Sequence, residues 1–210
     1  GILFLDELPE FDRRVLDSLR EPLETGSITI SRAARQVDFP ARFQLIGAMN
    51  PSPCGHVDDG QQRSSPQQVL RYLSKLSGPF LDRFDLTVEI PLLPKGSLSG
   101  PSDRGESSET IRQRVIRTRE IQLQRCGSLN ALLDSRQIEQ HCSLTPLDAQ
   151  FLEEVIHQLG LSLRAWHKIL RVARTLADLE QEPDIQRHHL AEALGYRAMD
   201  RLLRRLRAAG

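Results

Sequence analysis

Two hydrophobic periods divide the chain. In its first half, short apolar runs sit among turn residues. ILFL (2–5) is a continuous apolar run, as a buried parallel strand requires, and FQLIGAMN (43–50) predicts a second strand ending in a polar Asn. Between them, Phe11, Val15, Leu19 and Leu23 recur at four-residue spacing, predicting one helix from Pro9 to Thr25 that Gly26 ends. SITIS (27–31) alternates, and QVDFP (36–40) returns antiparallel to it with RAAR as the tip, predicting a hairpin. Residues 50–65 read as a loop. Ser65-Pro66-Gln67-Gln68 then carries a capping Ser, a Pro at the first helical position and a Gln at the third, predicting a helix to about Leu76. DLTVEI (85–90) predicts a third strand.

The second half follows the helical period throughout. Helices are predicted over 108–125, 134–141, 146–159, 163–181 and 187–208, with Thr145-x-x-Asp148 and Ser162 marking two starts. The organisation is therefore residues 1–94 as the end of an α/β layer, 95–108 as a Pro- and Gly-punctuated linker, and 109–210 as an all-helical domain.

Composition adds limits. With 39% hydrophobic and 27% charged residues the chain is ordinary for a protein with a buried core. No apolar run approaches the ~20 residues that span a membrane, and no signal peptide is visible. Cys54, Cys126 and Cys142 make no disulfide framework, which points to a reducing cytoplasm. The formal net charge is zero, but residues 1–94 hold 10 bases against 13 acids and residues 95–210 hold 18 against 15. Only Lys75, Lys95 and Lys168 are lysines. An Arg-rich chain suits carboxylate or phosphate pairing; genomic composition explains it equally well.

The candidate chemistry begins where the first strand ends. Asp6 and Glu7 fall at the carboxyl edge of a sheet, where open α/β sheets bind ligands. In an ATPase the first acid would orient Mg²⁺ and the second would polarise the attacking water. The alternative is an acidic helix N-terminus, which favours carboxylates anyway. Three further features form an ordered set with these acids: Asn50 ending the second strand, Arg83 in SGPFLDRFD (77–85), and Arg164 opening the helix GLSLRAW (160–166). Elsewhere the bland readings hold. Cys54 beside His56 cannot assemble four zinc ligands, so no metal other than Mg²⁺ is assigned. His188-His189 reads as surface at a helix start, and Trp166 as core packing. The Arg-rich end, RLLRRLRAAG (201–210), reads as cations at a helix C-terminus, with DNA contact as the alternative.

GILFLDELPEFDRRVLDSLREPLETG, PARFQLIGAMNPSPCG, LSGPFLDRFDL and LRAWHKILRVARTLADL together resemble the ComM/YifB proteins of bacteria. These belong to the branch of AAA+ ATPases shared with MCM helicases and the magnesium-chelatase ATPase subunit. The resemblance covers nearly the whole chain. It implies the C-terminal portion of an α/β P-loop AAA+ core, with parallel strands and a β-hairpin insertion, followed by an all-α helical lid. LFLDE would be the Walker B strand. The family's GxxxxGK[ST] loop would lie upstream of this chain, so residues 1–210 alone would turn over little ATP.

The same resemblance assigns roles. Asp6 would serve Mg²⁺, Glu7 would activate water, Asn50 matches sensor 1, Arg83 the arginine finger that reaches a neighbouring subunit's ATP, and Arg164 sensor 2. Arg32 and Arg35 would grip a DNA backbone from a pore-facing hairpin, independently of sequence; the alternative is a solvated turn with ordinary charges. The implied whole is a homo-hexameric DNA motor of helicase or branch-migration type, acting in recombination during natural transformation, with ATP and Mg²⁺ as cofactors. Two alternatives stay open: the same engine acting on a protein client, and a non-catalytic oligomerisation or adaptor module.

Overall fold

A computed structural model describes residues 1–32, 35–53, 65–91 and 105–208. By contacts the chain divides into two units, Gly1–Phe84 with Arg201–Gly210, and Asp85–Asp200.

In the first unit, β1 (Ile2–Leu5) pairs in parallel with β4 (Gln44–Gly47), Leu5 opposite Gly47. Between them, β2 (Ser27–Arg32) and β3 (Arg35–Pro40) form the hairpin, with Arg32 opposite Arg35. Its alternation leaves Ile28, Ile30, Val37 and Phe39 on one face, while Thr29 bonds Asp38 at 2.6 Å on the other. The predicted helix over 9–25 is broken. A 3-10 turn (Leu8–Glu10) comes first, then α1 (Arg13–Ser18) and α2 (Arg20–Thr25). Two local causes act. Asp12 caps α1 by accepting the Arg14 N–H at 2.7 Å, so the helix starts four residues late. Pro22 has no N–H to give the Ser18 carbonyl, and fits only because it lies in the first turn of α2. The break shifts the apolar stripe. Leu16 is 1% exposed, whereas Phe11 and Val15, expected inside, are 37% and 54% exposed. Leu19 and Leu23 do pack, against a small core of Leu8, Leu16, Leu76 and Phe80. α3 (Pro66–Leu73) carries the full capping box, Ser65 N–H to Gln68 at 2.8 Å and Gln68 N–H to Ser65 Oγ at 3.2 Å. α4 (Gly78–Leu81) follows.

The second unit is helical: α5 (Ser108–Cys126), α6 (Ser135–His141), α7 (Pro146–Leu159), α8 (Leu163–Leu179) and α9 (Arg187–Gly195), with α10 (Ala198–Ala208) beginning in it. Its core gathers Leu133, Ile138, Leu152, Ile169, Leu170, Ala173, Ile185 and Leu190, and Trp166 packs against this cluster as predicted. Two expectations fail together here. Residues 85–90 do not form a third strand; Thr87 alone makes a bridge, to Arg197. The helix predicted over 187–208 is interrupted at that point. The Thr87 N–H bonds the Tyr196 carbonyl (2.7 Å), the Thr87 carbonyl accepts from Ala198 (3.2 Å), and Thr87 Oγ1 accepts from Met199 (3.1 Å). Thr87 thus closes the end of α9 and caps the start of α10. No helix among the described residues is long and apolar enough to cross a membrane.

Candidate functional site

Parallel pairing sends the carboxyl ends of β1 and β4 to one edge. Asp6 and Glu7 leave β1 there, and Asn50 lies three residues beyond the end of β4. The ladder runs one step past the strands: Ala48 donates to the Leu5 carbonyl (2.8 Å) and Leu8 to the Ala48 carbonyl (3.1 Å). Between these bonds Glu7 takes a left-handed backbone, φ 52° and ψ 48°. A non-glycine residue pays about 1–2 kcal/mol for that conformation, which the flanking bonds and the burial of Leu8 offset. Gly47 makes the turn possible: a Cβ there would stand 2.6 Å from Leu8 Cδ1.

Asp6 Oδ1 accepts the Glu7 N–H at 2.9 Å. The Glu7 carboxylate and the Asn50 carboxamide bond nothing among the described residues, and all three side chains lie at exposed positions. This oxygen-rich donor set fits Mg²⁺, a hard cation commonly held through one or two carboxylates plus water and substrate phosphate. Tyr72 on α3 lies within electrostatic reach. Burial raises its hydroxyl pKa above 10, and the charges of Glu10 and Glu7 raise it further. Lys75 pairs with Glu10 at 3.3 Å and sits 5.8 Å from the Tyr72 ring centre. Nothing in the sequence pattern singled out Tyr72 or Gly47.

Arg83 is not extended into solvent. Its side chain is 12% exposed; Nη2 donates to the Glu24 carboxylate and Nη1 to the Pro79 carbonyl at 3.5 Å. Glu24 is a partner that sequence reading missed, because the two residues are 59 positions apart. Arg164 lies exposed in the first turn of α8, whose Ser162 cap accepts the Ala165 N–H at 3.3 Å; it belongs to the second unit. Arg32 and Arg35 face each other in register at the head of the hairpin; their side chains, like Cys54, His56 and most of the 95–108 linker, lie outside the described residues.

One cluster corrects an expectation. His188 is exposed, as read, but His189 is fully buried. Their Nε2 atoms stand 3.0 and 3.2 Å from Glu180 Oε2, close enough to frame a metal ion. His189 Nδ1, however, accepts the Gln186 N–H at 3.0 Å. Its proton therefore sits on Nε2 and is donated to Glu180. A metal on Nε2 would turn Nδ1–H against another donor, so the cluster is a structural cap.

A parallel strand ending in Asp-Glu, a second delivering Asn to the same edge, an Arg ahead of the next segment and a helical unit after it are consistent with a domain of the AAA+ type. Two family models agree: the magnesium chelatase subunit ChlI model matches residues 1–98, and its C-terminal model matches residues 105–197. The chain belongs to the magnesium-chelatase-like AAA+ family, in its ComM/YifB group. It is 61% identical to competence protein ComM of Haemophilus influenzae over 98% of this chain and 40% of that protein. Protein YifB of Escherichia coli is 58% identical over 97% of this chain and 40% of its own length. The magnesium-chelatase 38 kDa subunit of Acidiphilium rubrum is 27% identical over 98% of this chain and 53% of its own. The chain thus spans 40% of the length of ComM and of YifB.

Proposed function

We propose that this chain supplies the hydrolytic and sensing residues of an ATP-driven, ring-forming DNA motor of helicase or branch-migration type, serving recombination in natural transformation. The observation that carries the reading is the convergence of Asp6, Glu7 and Asn50 on one sheet edge, two of them with no internal partner among the described residues. The identity to a competence protein supports the biological context. In this reading the first unit is part of a P-loop core and the helices from α5 onward form its lid.

Asp6 would hold Mg²⁺, which when bound supplies positive charge at the phosphate oxygens. Glu7 accepts a proton from the attacking water; its carboxylate has no competing donor among the described residues. Asn50 donates an amide hydrogen that positions this water against the terminal phosphate. Arg83 acts on ATP bound by a neighbouring copy, and Arg164 contacts nucleotide from the lid. Arg32 and Arg35 engage the DNA phosphates. The partners are DNA and five further copies of the chain.

The test is ATP turnover by the complete protein carrying this chain, with and without forked and single-stranded DNA. The expected result is strong DNA stimulation, abolished in Glu7→Gln. A second reading, a protein client in place of DNA, draws on the chelatase-subunit match. Turnover lost in Glu7→Gln yet indifferent to every DNA would replace the first reading with the second.

A further inference from the structure

We propose that Glu24 is the resting partner of Arg83: its carboxylate holds the guanidinium that would otherwise reach the nucleotide phosphates of a neighbouring copy, and those phosphates must displace it. The inference rests on the reading of Arg83 given above and names what regulates it.

The backbone around Arg83 is fixed. Ser77 caps α4 through the Phe80 N–H (3.2 Å) and donates its own hydroxyl to Asp17 on α1. Phe80 is fully buried, and Phe84 meets it edge to face with ring centres 5.3 Å apart. Anchors on both sides leave the side chain as the part that moves. Its guanidinium is poorly satisfied where it rests. Only the Glu24 contact is close; the Pro79 bond is long at 3.5 Å, and the buried Nε–H finds no acceptor among the described residues. A buried unpaired donor is costly, so departure relieves a penalty as well as breaking a bond. Glu24 is 51% exposed, so an incoming anion has access to the pair. A phosphate group offers more charge and more acceptor oxygens than one carboxylate, and the planar guanidinium matches both. The exchange is therefore downhill only when a neighbour's nucleotide arrives.

The experiment has two arms. In this chain as it stands, Arg83 modification by phenylglyoxal is followed by mass spectrometry of its peptide. Glu24→Gln should raise the rate roughly two- to fivefold, the fold-change a solvent-accessible ion pair accounts for, and Glu24→Asp should restore slow modification. In the complete protein, Glu24→Gln should raise DNA-independent turnover by a similar factor, whereas Arg83→Ala should lower turnover by on the order of 10³. Equal modification rates in wild type and Glu24→Gln overturn the proposal. So does a Glu24→Gln loss of turnover that matches Arg83→Ala. An Arg83→Ala protein with intact turnover instead overturns the assignment of Arg83 itself, whatever Glu24 does in the first arm.

Discussion

The two units handle polar groups in opposite ways. In the second, one buried carboxylate is fully paired. Asp178, 1% exposed, accepts from both terminal nitrogens of Arg125 (2.5 and 2.7 Å), from Asn130 (2.8 Å) and from Arg174 Nε (3.1 Å). Arg174 also closes the end of α8 by donating to the carbonyls of Glu182 (2.6 Å) and Pro183 (2.8 Å). In the first unit, the groups that matter sit at a strand edge, exposed, with Glu7 and Asn50 left unbonded among the described residues. Among the described residues its core cluster is small, four buried residues against eleven in the other unit. A saturated buried carboxylate is architecture. An exposed one at the end of a parallel strand, without a partner among the described residues, is what the proposed function would use.

Removing the saturated network should cost most. Asp178→Ala strands Arg125 and Arg174 in the interior, and a loss of about 3–5 kcal/mol is expected. Trp166, the single tryptophan, packs on this core, so its fluorescence during urea unfolding reads the effect directly. The acid limb sharpens the test. Burial alone would raise the Asp178 pKa, but the bonds from Arg125 and Asn130 and the positive charge of Arg174 outweigh it and hold the value below normal. A depressed folded-state value means the stabilisation is fully present above the unfolded pKa of about 4 and fades as pH falls through the folded one. Asp178→Asn should therefore flatten the loss of stability below about pH 4.

Phe80→Ala carries the comparison to the first unit. With so few buried neighbours, the unit should lose about 3–4 kcal/mol from that one cavity. Hydrogen exchange should show the loss of protection concentrated in residues 1–53 and 65–84. Uniform protection there after the substitution would mean that the cluster does not hold the unit together.

Much of this was legible in local sequence. The SITIS hairpin and the Ser65 capping box rest on bonds between near neighbours, and their patterns predict them; ILFL was legible from its continuous apolar run, although its partner strand lies 42 positions away. What sequence missed depends on distant partners. Arg125 and Asp178 are 53 residues apart, and Arg83 and Glu24 are 59 apart. DLTVEI alternates as a strand does, yet its pattern cannot say whether its backbone will meet a sheet or two helix ends. The site was legible to the extent that strand ends were. Asp6, Glu7 and Asn50 follow from two apolar runs, whereas Gly47 shows its purpose only once Leu8 is seen folding over it.

Gly47→Ala is expected to cost less stability than Phe80→Ala and more activity. The added methyl would meet Leu8 Cδ1 at 2.6 Å, and Leu8, only 4% exposed, has little room to turn away. Overpacking of this kind costs about 1–3 kcal/mol. Leu8 follows Glu7 directly, so the shift moves the carboxylate off the strand edge. ATP turnover by the complete protein should fall further than the melting curve suggests.

The smallest effect belongs to Thr87→Val. The change keeps the shape and removes only the hydroxyl that accepts from Met199 and donates to the Tyr196 carbonyl. A lost helix cap costs about 1 kcal/mol. Because the Thr87 backbone bonds to Tyr196 and Ala198 persist, the break between α9 and α10 should remain. Faster amide exchange confined to Ala198–Leu202, with Trp166 unfolding nearly unchanged, is the expected outcome. If exchange spread through α9 as well, the hydroxyl and not the backbone bridge would be what sets the break, and the lone residue Thr87 would matter to the second unit as much as its buried network does.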